Sequence, residues 1–367
     1  MNSNDTGRNS ELDGIRGWAA ISVLLFHFFA ETFGIIFPFL KTGAFRFISD
    51  GYLAILIFFI LSGDALSSSF FHTKSTASTV RLVLTRYFRL VFPIFISCLF
   101  VYILMKLNWT FNKEAATVVQ RESWLGAFIT FPADFYKCIK YSFFEVFFYN
   151  TTELSYNPFF WTMSIELIGS FIVFINIFIF STIKKPIIVL VAQLLFFIWV
   201  DSWYSLFILG MLLGYFRSSG VIEKIESKKY LSAIIIIVFF SIILLNKLYN
   251  NLFGSNYFFT YFLKASGIVI IIYCTPILKS FFKSKVSLFL GDISFPLYAI
   301  HFSVLISFTS WFILKAHEQG TLHNSKNLWI PFCSILLCIL LAFFFRKIEK
   351  VFLERMNNGI KKRILKS

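Results

Sequence analysis

About ten apolar runs, near 16–37, 51–70, 88–107, 160–182, 186–200, 203–217, 231–248, 258–278, 293–314 and 328–346, decide what this chain can become. A run of roughly 20 apolar residues is long enough to cross the hydrocarbon core of a bilayer as a helix. Within lipid every backbone N–H and C=O needs an internal partner, which leaves only helices and closed barrels. The runs here are continuous and do not alternate, so they select the helix. The fifth and sixth are short and only Asp201 and Ser202 separate them, which reads as a tight hairpin or as a tilted or re-entrant pair. The expectation is an all-α, polytopic integral membrane protein with about ten transmembrane helices. With 57% hydrophobic and only 14% charged residues, a water-soluble fold could not hide so many of these runs.

The formal net charge of +15 would suit a nucleic-acid partner if it were gathered on one surface. Instead the cations sit between the apolar runs and in the tail, as the positive-inside rule produces, and no nucleic acid is expected. Placing the N-terminus in the cytoplasm puts 23 Lys and Arg on the inner side against 11 outside, favouring N-in and C-in. The organisation that follows is a polar tail over 1–15, a membrane domain over 16–346 and a basic cytoplasmic tail over 347–367. The tail 1–15 lacks the short apolar core of a signal peptide. One long outer connection, 108–159, mixes aromatic and charged residues and is expected to lie partly in the interface. It carries two glycosylation-type triplets, Asn108-Trp109-Thr110 and Asn150-Thr151-Thr152. The five cysteines show no CxxC spacing and read as small buried hydrophobes. No HExxH or clustered His/Asp pattern argues for a metal, and no permanently bound cofactor is expected.

Against this background the polar residues inside apolar sequence stand out. Arg16 and His27 are eleven residues apart, which places them on one helix face about 16 Å apart in depth. Asp13 lies one turn before Arg16 on nearly the same stripe. If Arg16 marks the inner water boundary, His27 lies near the middle of the membrane, where an ionisable group is costly and by default functional. A neutral histidine hydrogen-bonded to a neighbouring helix is the competing reading. In the second run, Ser62 and Gly63 would let another helix approach closely, and Asp64 must be paired, protonated or functional. Arg81, Arg86 and Arg89 at the inner end of the third run suit either a phosphorylated ligand or anionic lipid head groups. The fourth run opens at Asn157-Pro158, with Trp161 suited to the aromatic belt and Ser164 and Glu166 pointing into the membrane. Glu166 calls for a charge partner or a proton-transfer role. In the ninth run Ser294, Tyr298 and His301 form one polar stripe, and His301 reaches a depth close to that of His27.

Five ordered segments carry a resemblance: LDGIRGWAAISVLLFH, FFILSG, RYFRLVFP, FFWTMSIE and LGDISFPLYAIH. Together they resemble the membrane acyltransferase-3 family, from Leu12 to the ninth run. The resemblance implies transfer of an acyl group, often acetyl, from cytoplasmic acyl-CoA to a carbohydrate or glycolipid hydroxyl. It implies His27 as the key histidine with Arg16 as its partner, Arg86 and Arg89 as the basic pair, Glu166 in the Trp–Ser–Glu segment, and His301 as the late histidine. The chain departs from the family pattern at Asp64, where a hydrophobic residue is usual, at Leu56, where Asp is frequent, and at Leu167, where a second acid is common.

Acyl transfer to a hydroxyl needs a base for the hydroxyl proton or a nucleophile to carry the acyl group, and histidine serves either purpose. With the resemblance, the expectation is a bacterial inner-membrane O-acyltransferase. His27 and Glu166 are its catalytic residues, and Arg16, Arg81, Arg86 and Arg89 bind the donor. Asp13, Asp64, Trp161, Ser164, Ser294, Tyr298 and His301 line the cavity or hold the acceptor. A proton-coupled exporter built on the same intramembrane acids and histidines is the alternative, and a membrane scaffold or sensor is a third.

Overall fold

A computed structural model describes residues 9–73, 75, 77–149, 154–254 and 256–364. Among them every regular element is helical. The principal helices are α1 (Ser10–Leu25), α2 (Gly51–Thr73), α3 (Ala77–Lys106), α4 (Thr162–Thr182), α5 (Pro186–Trp199), α6 (Tyr204–Ser218), α7 (Lys229–Phe253), α8 (Tyr257–Cys274), α9 (Lys285–Asp292), α10 (Ser294–Val304), α11 (Ser310–Glu318) and α12 (Trp329–Ile364). Eight segments among the described residues are long and apolar enough to cross a membrane: Ser10–Glu31, Gly43–Thr73, Leu82–Lys106, Pro158–Thr182, Tyr230–Leu252, Tyr257–Cys274, Ser294–Glu318 and Ser325–Met356.

The two runs that separate this count from the expected ten are the fifth and sixth. Helix α5 has 14 residues and α6 has 15, about 21–23 Å of rise against a core of about 30 Å. They form the tight hairpin. The turn closes with Ser202 N–H donating to the Phe197 carbonyl at 2.8 Å, and Asp201 takes a positive φ of 50°. Asn256, which caps α8 by accepting from Phe259 N–H at 2.8 Å, also donates to Asp201 at 3.1 Å.

The chain forms two compact units, each assembled from separate stretches: 1–19, 52–86 and 165–291 in the first, and 20–51, 87–164 and 292–367 in the second. In the first unit α2 and α6 meet backbone to backbone. A Cβ on Gly63 would lie 2.1 Å from the Phe207 carbonyl oxygen, and one on Gly210 would lie 1.9 Å from that of Ile60. Small residues are what permit such an approach where no hydrophobic drive separates helix from lipid. The core around this seam includes Leu56, Ile60, Phe207, Met211 and Val269. Gly63→Ala is expected to force the two helices apart and to cost about 1–3 kcal/mol, seen as a lower midpoint when heated detergent-solubilised protein is followed by size exclusion.

In the second unit Asn157 ties three segments together. Its Oδ1 accepts from Phe159 N–H at 3.1 Å and so caps the short helical turn Pro158–Trp161 that leads into α4. Its Nδ2 donates to Ser97 Oγ and to the Ala299 carbonyl, both at 3.2 Å, and its own carbonyl accepts from Tyr141 OH at 2.8 Å. The side chain is wholly buried and both of its polar ends are used. Asn157→Leu removes the cap and both bonds donated by Nδ2, leaving Ser97 Oγ and the Ala299 carbonyl the 2.6 Å bond they share with each other, a loss of about 2 kcal/mol. The same heating assay is expected to show it, and with it a loss of order at Phe159.

Candidate functional site

The second unit gathers the two histidines. Beyond Leu25 the first helix widens into a π turn, Phe26–Glu31, in which the Thr32 hydroxyl donates to the His27 carbonyl at 2.6 Å. Helix α10 runs into a second such turn, Leu305–Thr309, which the Ser310 hydroxyl closes onto the Leu305 carbonyl at 2.7 Å. Single π turns inside α-helices recur at functional sites because they displace side chains from the regular register. His27 and His301 lie with ring centroids 5.2 Å apart. Both stack on Phe159, at 4.0 and 4.9 Å with interplanar angles of 15°.

Hydrogen bonding distinguishes the two rings. His301 is fully buried and its Nδ1 sits 2.7 Å from the Tyr298 carbonyl. A carbonyl only accepts, so Nδ1 carries the proton and Nε2 presents a lone pair. That Nε2 is buried without a partner, and so is Nδ1 of His27. Buried polar atoms are almost always paired, and leaving one unpaired costs about 1–3 kcal/mol. Two such nitrogens lie on one aromatic cluster around Phe159. Tyr298 is occupied otherwise: its hydroxyl donates to the Phe159 carbonyl and accepts from Thr162 at 3.0 Å. Of the stripe expected on the ninth run, Tyr298 thus positions and His301 is presented, while Ser294 is buried at the start of α10. Trp161 ends the short turn before α4, and its carbonyl accepts from the Ser164 hydroxyl at 3.3 Å.

The connection read as an interfacial loop also reaches the histidines. The Trp124 ring lies 5.8 Å from His27 and nearly parallel to it, and Phe128 meets Phe159 edge-on at 5.6 Å. Glu31, in the π turn of His27, is ion-paired with Arg121. Glu31, Arg121, Trp124 and Phe159 were not among the expected site residues. Glu31 alone carried a signal, as an acid four residues after His27 in an apolar run. The triplet at Asn150 lies outside the described residues.

The remaining candidates, Arg89 apart, belong to the first unit, where charges are interlocked. Arg86 pairs with Glu166, and its Nε donates to Ser170 Oγ at 2.8 Å. Glu166 also accepts from the Ser62 hydroxyl at 2.7 Å. Glu166 therefore has the charge partner that its position called for. Asp64 pairs with Arg217 and accepts from Tyr273 OH at 2.7 Å. Arg16 donates to the Leu61 carbonyl at 3.1 Å, has Asp13 at 3.8 Å, and lies near enough to Asp64 and Arg86 to act on both charges. The side chain of Arg81 lies outside the described residues. Arg89, three residues after Arg86, belongs to the second unit, where its charge acts on Glu349 beside the Arg346–Asp292 pair. Arg217, counted from sequence among the inner loop cations, is instead 7% exposed and committed to Asp64.

The arrangement offers one unit with two imidazoles, each with a buried ring nitrogen that no group among the described residues pairs, and another with arginines balanced by carboxylates. Comparison with curated proteins and with solved structures gives no match. The sequence model of the acyltransferase-3 family, described as an acyltransferase domain, matches residues 9–347. That match spans nearly the whole chain and takes in both histidines and the arginine–carboxylate cluster, so the chain belongs to the acyltransferase-3 family and is a membrane acyltransferase.

Proposed function

We propose that the enzyme transfers an acyl group, acetyl in the simplest case, from cytoplasmic acyl-CoA to a hydroxyl of a carbohydrate-type acceptor. The observation that carries this reading is the pair of buried, unpartnered imidazole nitrogens on one aromatic cluster. In a direct transfer the acceptor oxygen attacks the thioester carbonyl, the C–S bond breaks, and an imidazole takes the hydroxyl proton and returns it to the CoA sulfur. In a two-step transfer a His27 nitrogen attacks the thioester carbonyl, the C–S bond breaks, and CoA leaves as the thiol with the imidazole proton. The acceptor oxygen then attacks the acyl carbon, the C–N bond breaks, and His301 Nε2 takes the hydroxyl proton and returns it to the His27 ring. Glu166 and Arg86 then serve as mutual counter-charges. Arg16 is the cation we assign to the phosphates of the donor, because its ion pair with Asp13 is long, at 3.8 Å, where Arg86 and Arg217 are held closely by carboxylates. An N-in, C-in chain in a bacterial inner membrane suits a donor of this kind, with the tail 347–367 on the donor side.

The test is CoA release by purified protein in lipid, supplied with acetyl-CoA and a membrane extract as a mixed acceptor pool. Release that depends on the extract is the expected result, and the labelled product then identifies the acceptor. Folded protein that neither binds nor consumes acetyl-CoA would sink the donor assignment.

A further inference from the structure

We infer that Glu31, Arg121 and Trp124 are positioning residues that hold the His27 ring in its working orientation. The inference rests on reading His27 as the reactive group. Glu31 follows His27 by four residues in the same π turn, so the two side chains leave neighbouring points of one helical surface. Its carboxylate is ion-paired with Arg121, both side chains being about four-fifths buried, at 19% and 18% exposure. Arg121 follows the short helix Asn112–Val118, and its carbonyl accepts from Trp124 N–H at 3.1 Å and Leu125 N–H at 2.8 Å. The turn so formed moves Trp124 and Arg121 as one piece. Asn112 fixes that piece from behind, donating to the Leu125 and Phe128 carbonyls at 3.0 and 2.8 Å.

The guanidinium of Arg121 lies 5.3 Å from the Trp124 ring, and that ring lies within 6° of parallel to His27. The path is therefore closed: from His27 along its own helix to Glu31, across the ion pair to Arg121, over to Trp124 and back to His27. With Phe159 stacked at 4.0 Å, two rings lie nearly parallel to the imidazole plane, at 6° and 15°. Rotation of His27 out of that plane requires the latch or the stack to open. An ion pair of this exposure contributes little net stability. What it supplies is a fixed angle, and a reacting group misplaced by an ångström loses much of its rate.

The experiment uses the full chain in lipid and two independent readings. Carbethoxylation of His27 by diethyl pyrocarbonate is followed by mass spectrometry, with exposed His317 and His323 as internal standards. The kcat and KM for acetyl-CoA are measured beside it. Glu31→Gln and Arg121→Gln are each expected to speed modification of His27 about fivefold. Each is expected to lower kcat about tenfold with KM within about twofold. The reversed pair, Glu31→Arg with Arg121→Glu, restores both quantities toward wild type. Trp124→Leu, which leaves no charge unpaired, loosens His27 in the same way and serves where a single charge variant fails to fold. Unchanged His27 reactivity in folded Trp124→Leu, or a reversed pair no better than the single variants, overturns the inference. If the wild type consumes no acetyl-CoA, the proposed function fails while the reactivity measurement still decides the latch.

Discussion

Replacing His27 with phenylalanine is expected to abolish most acyl transfer, by about 10²–10⁴-fold, while leaving the protein as stable as wild type or more so. The two halves of this expectation come from the same atom. Nδ1 of His27 is buried with no hydrogen-bond partner, so the folded state already bears the cost of a desolvated polar group. Phenylalanine keeps the ring stacked on Phe159 and removes that cost. A histidine that served only to bind a neighbouring helix would behave in the opposite way: its loss would weaken the fold, and catalysis would fall only as the folded fraction fell. Sites that hold strain or unsatisfied groups for function commonly gain stability when they are disabled. CoA release and the thermal midpoint, measured on the same preparation, separate the two cases. His301→Phe is expected to lose activity as well, and its effect should not multiply with that of His27→Phe, since residues acting as a unit are non-additive. Retention of more than half the activity in folded His27→Phe would remove this histidine from the chemistry.

The features that were legible in the sequence were those set by composition and by fixed offsets. Apolar runs long enough to span lipid become helices because the bilayer leaves the backbone no alternative, and these helices form. The small Ser62-Gly63 step announced a close helix approach, and α6 makes it at Phe207. His27 and His301 could be assigned matching depths, but not a shared partner, because Phe159 and Trp124 arrive from a segment whose aromatics also suited the interface. The two π turns were invisible, since a run of Phe, His and Ala obeys the α-helical pattern equally well. Arg217 shows the limit of charge counting. At the end of a helix it resembles any cytoplasmic cation, and only the fold reveals that Asp64, 153 residues earlier, claims it. Arg86 is a similar case: a juxtamembrane arginine in sequence, and in the fold the counter-ion of Glu166.

Breaking the Asp64–Arg217 pair from one side is expected to be the most damaging change to the fold, and removing it from both sides is expected to be tolerated. Asp64 is fully buried, Arg217 is 7% exposed, and the pair is completed by Tyr273, which donates to Asp64 and lies 5.6 Å from the guanidinium. Gly214 makes the room, for a Cβ there would stand 2.8 Å from Asp64 Oδ1. Asp64→Leu alone leaves the arginine buried without its ion-pair partner, and Arg217→Met alone leaves the carboxylate with the Tyr273 hydrogen bond and no ion pair. Each single loss is expected to cost about 3–5 kcal/mol, whereas an apolar replacement of both partners is often neutral or stabilising. The double variant Asp64→Leu with Arg217→Met should therefore recover monodisperse, folded protein where either single variant aggregates. Leucine at position 64 also restores the hydrophobic residue that the family pattern places after Ser-Gly. Activity of the recovered double variant then assigns the pair. Acyl transfer near the wild-type rate means that Asp64 and Arg217 only lock α2 against α6. Folded but inactive protein means that an ionised Asp64 takes part in proton movement, and moves this acid from the scaffold into the site.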